Sequence, residues 1–369
     1  MHLSYCTNVH PAEDLDGIIG QLDTYALPIR RRLKSDVLGL GLWLAAPAAA
    51  ELAADPGKRK RLRTELDARG LEVVTLNGFP YEAFQAPVVK HAVYYPDWTE
   101  RERLDYTLDC ARVLADLMPD RASYGSVSSL PLAWRTPWDA ERASAASRHL
   151  DELARGLDRI AGETGRTIRV GFEPEPGCLI ENTTQAASLL AGVDTRWLGV
   201  CLDLAHLACA WEEPAGALQR LRAAGVPVVK VQVSAALQAD DPVAAEDVLR
   251  AYVEQRFLHQ TRSALGEAAD DLDEALDRGL PGPWRIHYHV PLHATPVAPL
   301  TSTVPVIREA LRHLLTAPGP RCEHFDVETY TWGVLPESQR PKDDAGLADG
   351  IAAEVAFAGD LLSSAGVAR

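Results

Sequence analysis

Five short segments of this chain carry, at or near their ends, groups that bind cations or move protons. They read Arg169-Val-Gly-Phe-Glu173, Gly199-Val-Cys-Leu-Asp203, Lys230-Val-Gln232, Arg285-Ile-His-Tyr-His289 and Asp326-Val-Glu328. Polar and small residues mostly share one parity, and bulky apolar ones such as Val170, Phe172, Val200, Leu202, Ile286 and Tyr288 share the other. A β-strand sends alternate side chains to opposite faces. Each segment is therefore predicted to be a strand with one apolar face and one face leading to a carboxylate, amide or imidazole. A hydrophobic core alone needs no such tips. Several of them converging at one end of a barrel would surround a metal ion.

Nine strands are predicted, at residues 3–8, 37–44, 71–77, 122–128, 168–173, 197–203, 226–234, 284–290 and 324–328. Helical patterns separate most of them. Thr99-Glu-Arg-Glu102 has the form of a capping box and opens a helix to Leu117. Thr136-Pro137 places proline at the start of a helix that runs to about Glu163 and ends at Gly165. Helices over 59–68 and 218–224 stop at Gly70 and Gly225, and 344–364 forms a last helix. Strand–helix alternation with short returns predicts a parallel sheet with helices outside. Glu173, Asp203 and Gln232 follow one another at intervals of 30 and 29 residues, one βα unit each. Eight such units close a (β/α)8 TIM barrel. The 369 residues fit it as a single domain over 1–369 with insertions. Nine strands is one too many, so either 226–234 or 284–290 is expected to be an extension or a lid. Residues 239–283 read as a helical insertion. Residues 78–98, rich in Pro, Phe and Tyr, read as a loop that covers the site.

The net charge of −15 argues against a nucleic-acid partner, because phosphate binding needs clustered Lys and Arg. Arg30-Arg31-Arg32 is the one compact basic run and reads as a solvated helix face. The six cysteines are scattered with no Cys-x-x-Cys, as expected for reduced thiols in a cytoplasmic protein. The first residues lack the pattern of a secretory signal. No run reaches the roughly 18 apolar residues that span a bilayer. No membrane insertion is expected, and a homo-oligomer is compatible with the sequence.

Glu173 lies in Gly-Phe-Glu-Pro-Glu-Pro-Gly, where the prolines stop the strand at the carboxylate. Glu175 beside it reads as a solvated loop residue. Asp203-Leu-Ala-His206 puts a carboxylate suited to a hard cation one turn before a His suited to a hydroxyl or a proton. Glu328 ends the last strand, across the mouth from Glu173. Paired carboxylates around one metal can act as acid and base on a bound polyol, so Glu173 and Glu328 are the candidate catalytic pair. Asp326, one pleat deeper, reads as a buried hydrogen-bonding partner. His287, His289 and His293 form a dense cluster, and imidazole is a common ligand of Zn, Mn and Co. Gln232 competes with His289 for a ligand position. The candidate metal ligands are therefore Glu173, Asp203, Gln232, His289 and Glu328, for a divalent Mn, Mg, Zn or Co ion. His206, His287 and Asn8 are candidate substrate-binding residues. Lys230 and Arg285 lie on the inward parity and are candidates to hold an anionic group such as a phosphate, or to compensate the carboxylates. There is no Gly-x-Gly-x-x-Gly, Walker loop, Gly-x-Ser-x-Gly or His-Glu-x-x-His.

At these residues the chain resembles the xylose-isomerase-like barrel superfamily, which holds sugar and sugar-phosphate isomerases, ketose epimerases, inosose-processing enzymes and an endonuclease branch. The resemblance implies a metal set of Glu, Asp, His and Glu on the last four strands. Glu173, Asp203 and Glu328 match it, and His206 is similar to the substrate-contacting His after the Asp. Gln232 stands where the family has its His. Tyr-Cys-Thr-Asn8, His-Val-Pro-Leu-His293 and Val-Glu-Thr-Tyr-Thr-Trp332 are similar to the metabolite traffic (EboE-like) subgroup. That resemblance implies a cyclitol, ketose or other polyol in secondary metabolism, turned over by isomerisation or epimerisation. The alternatives are a lyase or dehydratase on the same site, or a carrier that binds a metabolite without turning it over.

Overall fold

The computed structural model describes residues 1–316 and 322–366. Seven parallel strands come first: β1 (His2–Cys6), β2 (Leu38–Trp43), β3 (Leu71–Asn77), β4 (Gly125–Ser129), β5 (Ile168–Phe172), β6 (Leu198–Asp203) and β7 (Val228–Val233). Five short strands follow: β8 (Ala236–Ala239), β9 (Thr261–Ser263), β10 (Ala268–Ala269), β11 (Trp284–His289) and β12 (Thr301–Ser302). The last strand, β13 (His324–Val327), returns between β7 and β1 and closes an eight-stranded barrel. The five intervening strands form a separate sheet in the order β10-β9-β11-β8-β12.

The barrel is the fold predicted. The surplus strand is 284–290: its centre is β11, which pairs antiparallel with β8 and β9 and touches no barrel stave by strand pairing. The helical insertion expected over 239–283 is corrected. It holds only two short helices, Glu246–Arg250 and Leu272–Arg278, and otherwise builds the second sheet. Its Ala, Leu and Glu content favours helix locally, but short helical runs do not persist on propensity alone. Pairing with β8 and β11 decides the outcome.

Two helix starts also differ from expectation. The helix Arg101–Leu117 begins one residue later than the capping box predicts, with Glu100 rather than Thr99 at its N-cap. Thr99 instead donates through its N–H and Oγ1 to Asp97 Oδ1 (2.8 and 2.6 Å), and Glu100 Oε1 accepts from Asp97 N (2.9 Å). A carboxylate outcompetes a hydroxyl as the acceptor of this turn. The helix Ala140–Thr164 is capped by Asp139, which accepts from Arg142 N, so Pro137 lies outside it. Gly165 ends it with φ +70°, a conformation that costs glycine nothing. The last helix, Asp344–Ser364, has the predicted span.

Register brings the polar tips level. Asp203 lies opposite Gln232, and Gln232 opposite Asp326. Apolar parity residues such as Val170, Phe172, Val200, Val231 and Phe325 are buried in the barrel–helix core. The barrel interior is polar for its size. Ser126 Oγ donates to Thr75 Oγ1 (2.8 Å) and bonds His324 Nδ1 (2.7 Å), Ser4 Oγ donates to Asp326 Oδ1 (2.6 Å), and Lys230 Nζ pairs with Asp326 Oδ2 at 2.9 Å. Gly41 makes room for that pair, since a Cβ there would overlap the Asp326 carboxylate.

Candidate active site

Glu173, at the end of β5, and Glu328, at the end of β13, meet at one amide. Gln232 Nε2, from β7, donates to Glu173 Oε1 and Oε2 (3.2 and 3.1 Å) and to Glu328 Oε2 (2.6 Å). Glu328 Oε1 accepts from Asn8 Nδ2 (2.7 Å) and Asn77 Nδ2 (2.8 Å). Three amides thus hold one carboxylate from three sides. Burial, with the charges of Glu173 and Asp203, still raises Glu328 well above the usual carboxylate range. Burial raises Glu173 to about 7, with His206 opposing and Asp203 adding to the rise.

Asp203 serves two purposes at once. Its Oδ1 caps the helix Leu204–Cys209, accepting from His206 N and Ser234 Oγ at 2.8 Å each. Its Oδ2 is buried without a partner. His289 arrives from β11 and its Nδ1 donates to the Glu328 carbonyl oxygen at 2.9 Å. A carbonyl only accepts, so Nδ1 carries the hydrogen and Nε2 keeps a free lone pair. Burial lowers His289 to about 4, so it is neutral at pH 7. Its Nε2 is also buried and unpartnered. One ligand atom each from Asp203, His289 and Glu328 lies within 4.8 Å of the others, and the same holds for Glu173, Asp203 and His206. Two unpaired buried acceptors beside two carboxylates fit a divalent cation. Metal-bound histidines characteristically have the other ring N–H tied to a carbonyl, as here.

A cavity of about 50 Å³ opens above these groups, with Glu173, Glu175, His206, His287 and Glu328 in its wall. Glu175 is not solvated as expected. It is buried, its Oε1 accepts from Tyr94 OH (2.9 Å), and burial raises it to about 7 against the pull of His206. His206 Nδ1 donates to the Pro174 carbonyl (2.8 Å). Burial disfavours its charge, but Asp203, Glu175 and Glu173 outweigh that and raise it to about 9. Phe84, Val89, Phe257 and Tyr330 cover the cavity from above. A pocket for a small organic ligand needs roughly 300 Å³, so this cover must shift to admit one.

Two predicted residues are not brought to the site, nor is His293 of the cluster. Lys230 lies one layer below, fully buried against Asp326, which holds it charged. Arg285 stacks on Trp211 with its guanidinium 3.9 Å from the ring centroid, and donates to Gln238 Oε1 and the Ala208 carbonyl. It shares the parity of His287 but stands two residues upstream, about 7 Å along a strand that enters from outside the barrel. His293 is exposed near Trp332. Among the described residues, Lys90 is the one Lys or Arg lining the cavity, and its Nζ is paired with Asp271. The sequence reading missed Asn77, Tyr94 and Gln260. Asn77 was detectable, since it continues the inward parity of Thr75 to the end of β3. Tyr94 ends a short 3-10 helix and Gln260 lies in a loop, and neither segment carries such a signal.

The family model for the xylose isomerase-like TIM barrel matches residues 38–247, more than half of the chain. The chain belongs to the xylose isomerase-like TIM barrel family. Solved structures with this barrel match along its length. A xylose isomerase-like TIM barrel protein from Mycobacterium smegmatis in complex with magnesium is 14% identical with a TM-score of 0.55, covering 99% of this chain and 97% of that one. D-psicose 3-epimerase with D-tagatose from Clostridium cellulolyticum H10 is 12% identical with a TM-score of 0.54, covering 98% and 99%. The IolI protein with a bound zinc atom is 14% identical with a TM-score of 0.51, covering 99% of each chain. At these identities the likeness is one of fold. No curated protein sequence matches the chain. In this xylose isomerase-like barrel the seventh strand carries Gln232, and an imidazole from the inserted sheet stands beside it.

These protonation states predict how stability depends on pH. Glu173, Glu175 and Glu354 are each raised to about 7 from 4.5, and His206 to about 9 from 6.5. The folded chain therefore holds protons that the unfolded chain releases, and stability falls as pH rises through each interval. His10 and His289, lowered to about 3 and 4, act in the opposite sense, but only below 6.5. From pH 6.5 to 9 the fall is unopposed. Metal-free protein is expected to lose about 2–4 kcal/mol over that range in urea unfolding. Manganese at pH 8.5 is expected to restore it. A profile that is flat or rises with pH contradicts these assignments.

Proposed function

We propose that the protein is a divalent-metal-dependent isomerase or epimerase of an uncharged polyol, ketose or cyclitol. The observation that carries this is the meeting of Glu173 and Glu328 at the Gln232 amide, beside the unpaired Asp203 Oδ2 and His289 Nε2. Asp203, His289 and Glu328 would hold the cation, with Glu173 at its edge. A bound divalent ion would stabilise negative charge on the substrate oxygen next to the reacting carbon. On a substrate that carries a carbonyl, a ketose or the keto form of a polyol or cyclitol, one of the two glutamates removes a proton from the carbon beside it, and the electron pair passes to that carbonyl as an enediolate. The other returns a proton, to the opposite face or to the adjacent carbon. Burial raises both carboxyls above the usual range, Glu173 to about 7, where it can give and take a proton near neutral pH. Asn8 and Asn77 hold Glu328 in place, and the apolar cover excludes water. The absence of an unpaired Lys or Arg side chain among the described lining residues disfavours a phosphorylated substrate, so the anion role first considered for Lys230 and Arg285 falls away.

A dehydratase reading draws on His206, whose retained proton could leave with a hydroxyl. Incubation in D2O with manganese and a panel of ketoses, inososes and cyclitols separates the readings. Deuterium entering at one carbon without loss of water supports isomerisation or epimerisation. Water loss supports the dehydratase. Tight binding of a panel compound with neither exchange nor water loss sinks both in favour of a carrier.

A further inference from the structure

One carboxyl group interrupts the apolar face of the last helix. Asp344–Ser364 turns Ala348, Ile351, Ala352, Val355 and Ala358 into the core, and Glu354 lies among them, 1% exposed. A carboxyl buried there costs free energy that an alanine or a leucine would not, so its contacts call for a reason. Glu354 Oε1 accepts from Leu292 N (2.9 Å) and Thr329 Oγ1 (2.8 Å), and Oε2 accepts from Trp332 Nε1 (3.2 Å). These donors belong to two segments. Leu292 lies three residues beyond His289, past the end of β11. Thr329 follows Glu328 directly, and Trp332 lies in the turn Tyr330–Gly333 after it. The same two segments meet at the site itself. There His289 Nδ1 donates to the Glu328 carbonyl at 2.9 Å, and Thr331 Oγ1 donates to the His289 carbonyl.

We propose that Glu354 is a positioning residue for the cation site: by accepting from both segments just past their ligands, it sets His289 Nε2 against the Glu328 carboxylate. This role rests on the metal-dependent reading above, since it concerns two ligands of that ion. Sheet pairing cannot do the same work. β11 pairs with β8 and β9, whereas Glu328 follows a barrel stave that pairs with β7 and β1. No shared ladder therefore fixes one ligand against the other. Tyr288 OH donates to the Val334 carbonyl (2.6 Å) and Val290 N to the Ala235 carbonyl (2.8 Å), which hold β11 to its surroundings. Glu354 is the side-chain acceptor that the two ligand-bearing segments have in common. A carboxylate suits this place, because its two oxygens take all three bonds and offer no hydrogen in return. A glutamine would turn its NH2 toward either Trp332 Nε1–H or Leu292 N–H and leave a buried donor unpaired. Metal affinity is sensitive to the groups that orient the ligands from behind. The last helix of the barrel thus carries the group that locks an imidazole of the inserted sheet onto a carboxylate of the last stave.

Metal alone tests this without a substrate. Metal-free full-length protein is titrated with Co2+ against a competing chelator, followed by its visible absorption, with unfolding midpoints in urea measured alongside. Glu354→Gln is expected to bind cobalt about 10–100-fold more weakly than the wild type, the range for losing a group that supports a metal ligand, and to shift the visible band. Ile351→Ala, on the same buried face of the helix, is the stability control. It should lower the midpoint and leave cobalt affinity and spectrum as they are. Thr329→Val removes one of the three bonds and should weaken cobalt in the same direction, which keeps the test intact if Glu354→Gln fails to fold. Wild-type affinity and spectrum in folded Glu354→Gln, or in Thr329→Val when that variant stands in for it, overturn the positioning role and leave the metal-dependent reading standing. An equal weakening in Ile351→Ala also overturns it, because any loosening of the helix would then suffice. No cobalt bound by the wild type overturns the metal-dependent reading, and this role with it.

Discussion

Glu173→Gln and Glu328→Gln are each expected to slow deuterium exchange into the substrate by about 10²–10⁴-fold, the range for losing a positioned acid–base group. The substitution keeps shape and removes the titrating oxygen. At position 328 the remaining amide oxygen can still accept from Asn8, Asn77 or Gln232, which now hold the carboxylate at 2.6–2.8 Å. The fold should therefore survive, and unfolding midpoints will show whether it does. An epimerase that uses the two groups on opposite faces should lose exchange from one face in each variant. Wild-type exchange in either variant would remove that residue from the mechanism.

Lys230→Met is expected to destabilise the protein by about 3–5 kcal/mol, the cost of stranding a buried partner charge. Lys230 and Asp326 are both fully buried and 2.9 Å apart, with Ser4 as the other partner of the carboxylate. The methionine keeps most of the volume, so the loss reports the charge rather than a void. Lys230→Met with Asp326→Asn, which removes the stranded charge, should recover a large part of it. Urea unfolding at pH 7 measures both. A single-variant loss below about 1 kcal/mol would show that water or protonation relieves Asp326, contrary to a dry pair.

Much of the site lay within reach of the sequence, and the parts that did not share one character. Glu173, Asp203 and Glu328 announce themselves because each ends a strand on the inward parity, and parity is a property of neighbouring residues. Asn77 obeys the same rule. Glu175 follows a proline outside the strand, so parity is silent on it, and only the fold shows Tyr94 and His206 against it. Arg285 misled for the converse reason. It has the right parity on a strand that belongs to a different sheet.

The sequence by itself determined the barrel, its helical layer and the level of its carboxylates, because alternation and the βα period are local and repeat along the chain. Tertiary structure alone decided that 284–290 leaves the barrel, that Gln232 bridges two glutamates and that His289 comes in with Nε2 free. Strand pairing and hydrogen direction are set by partners that stand far apart in the chain. Glu328, 39 residues from His289, determines which of its nitrogens can bind.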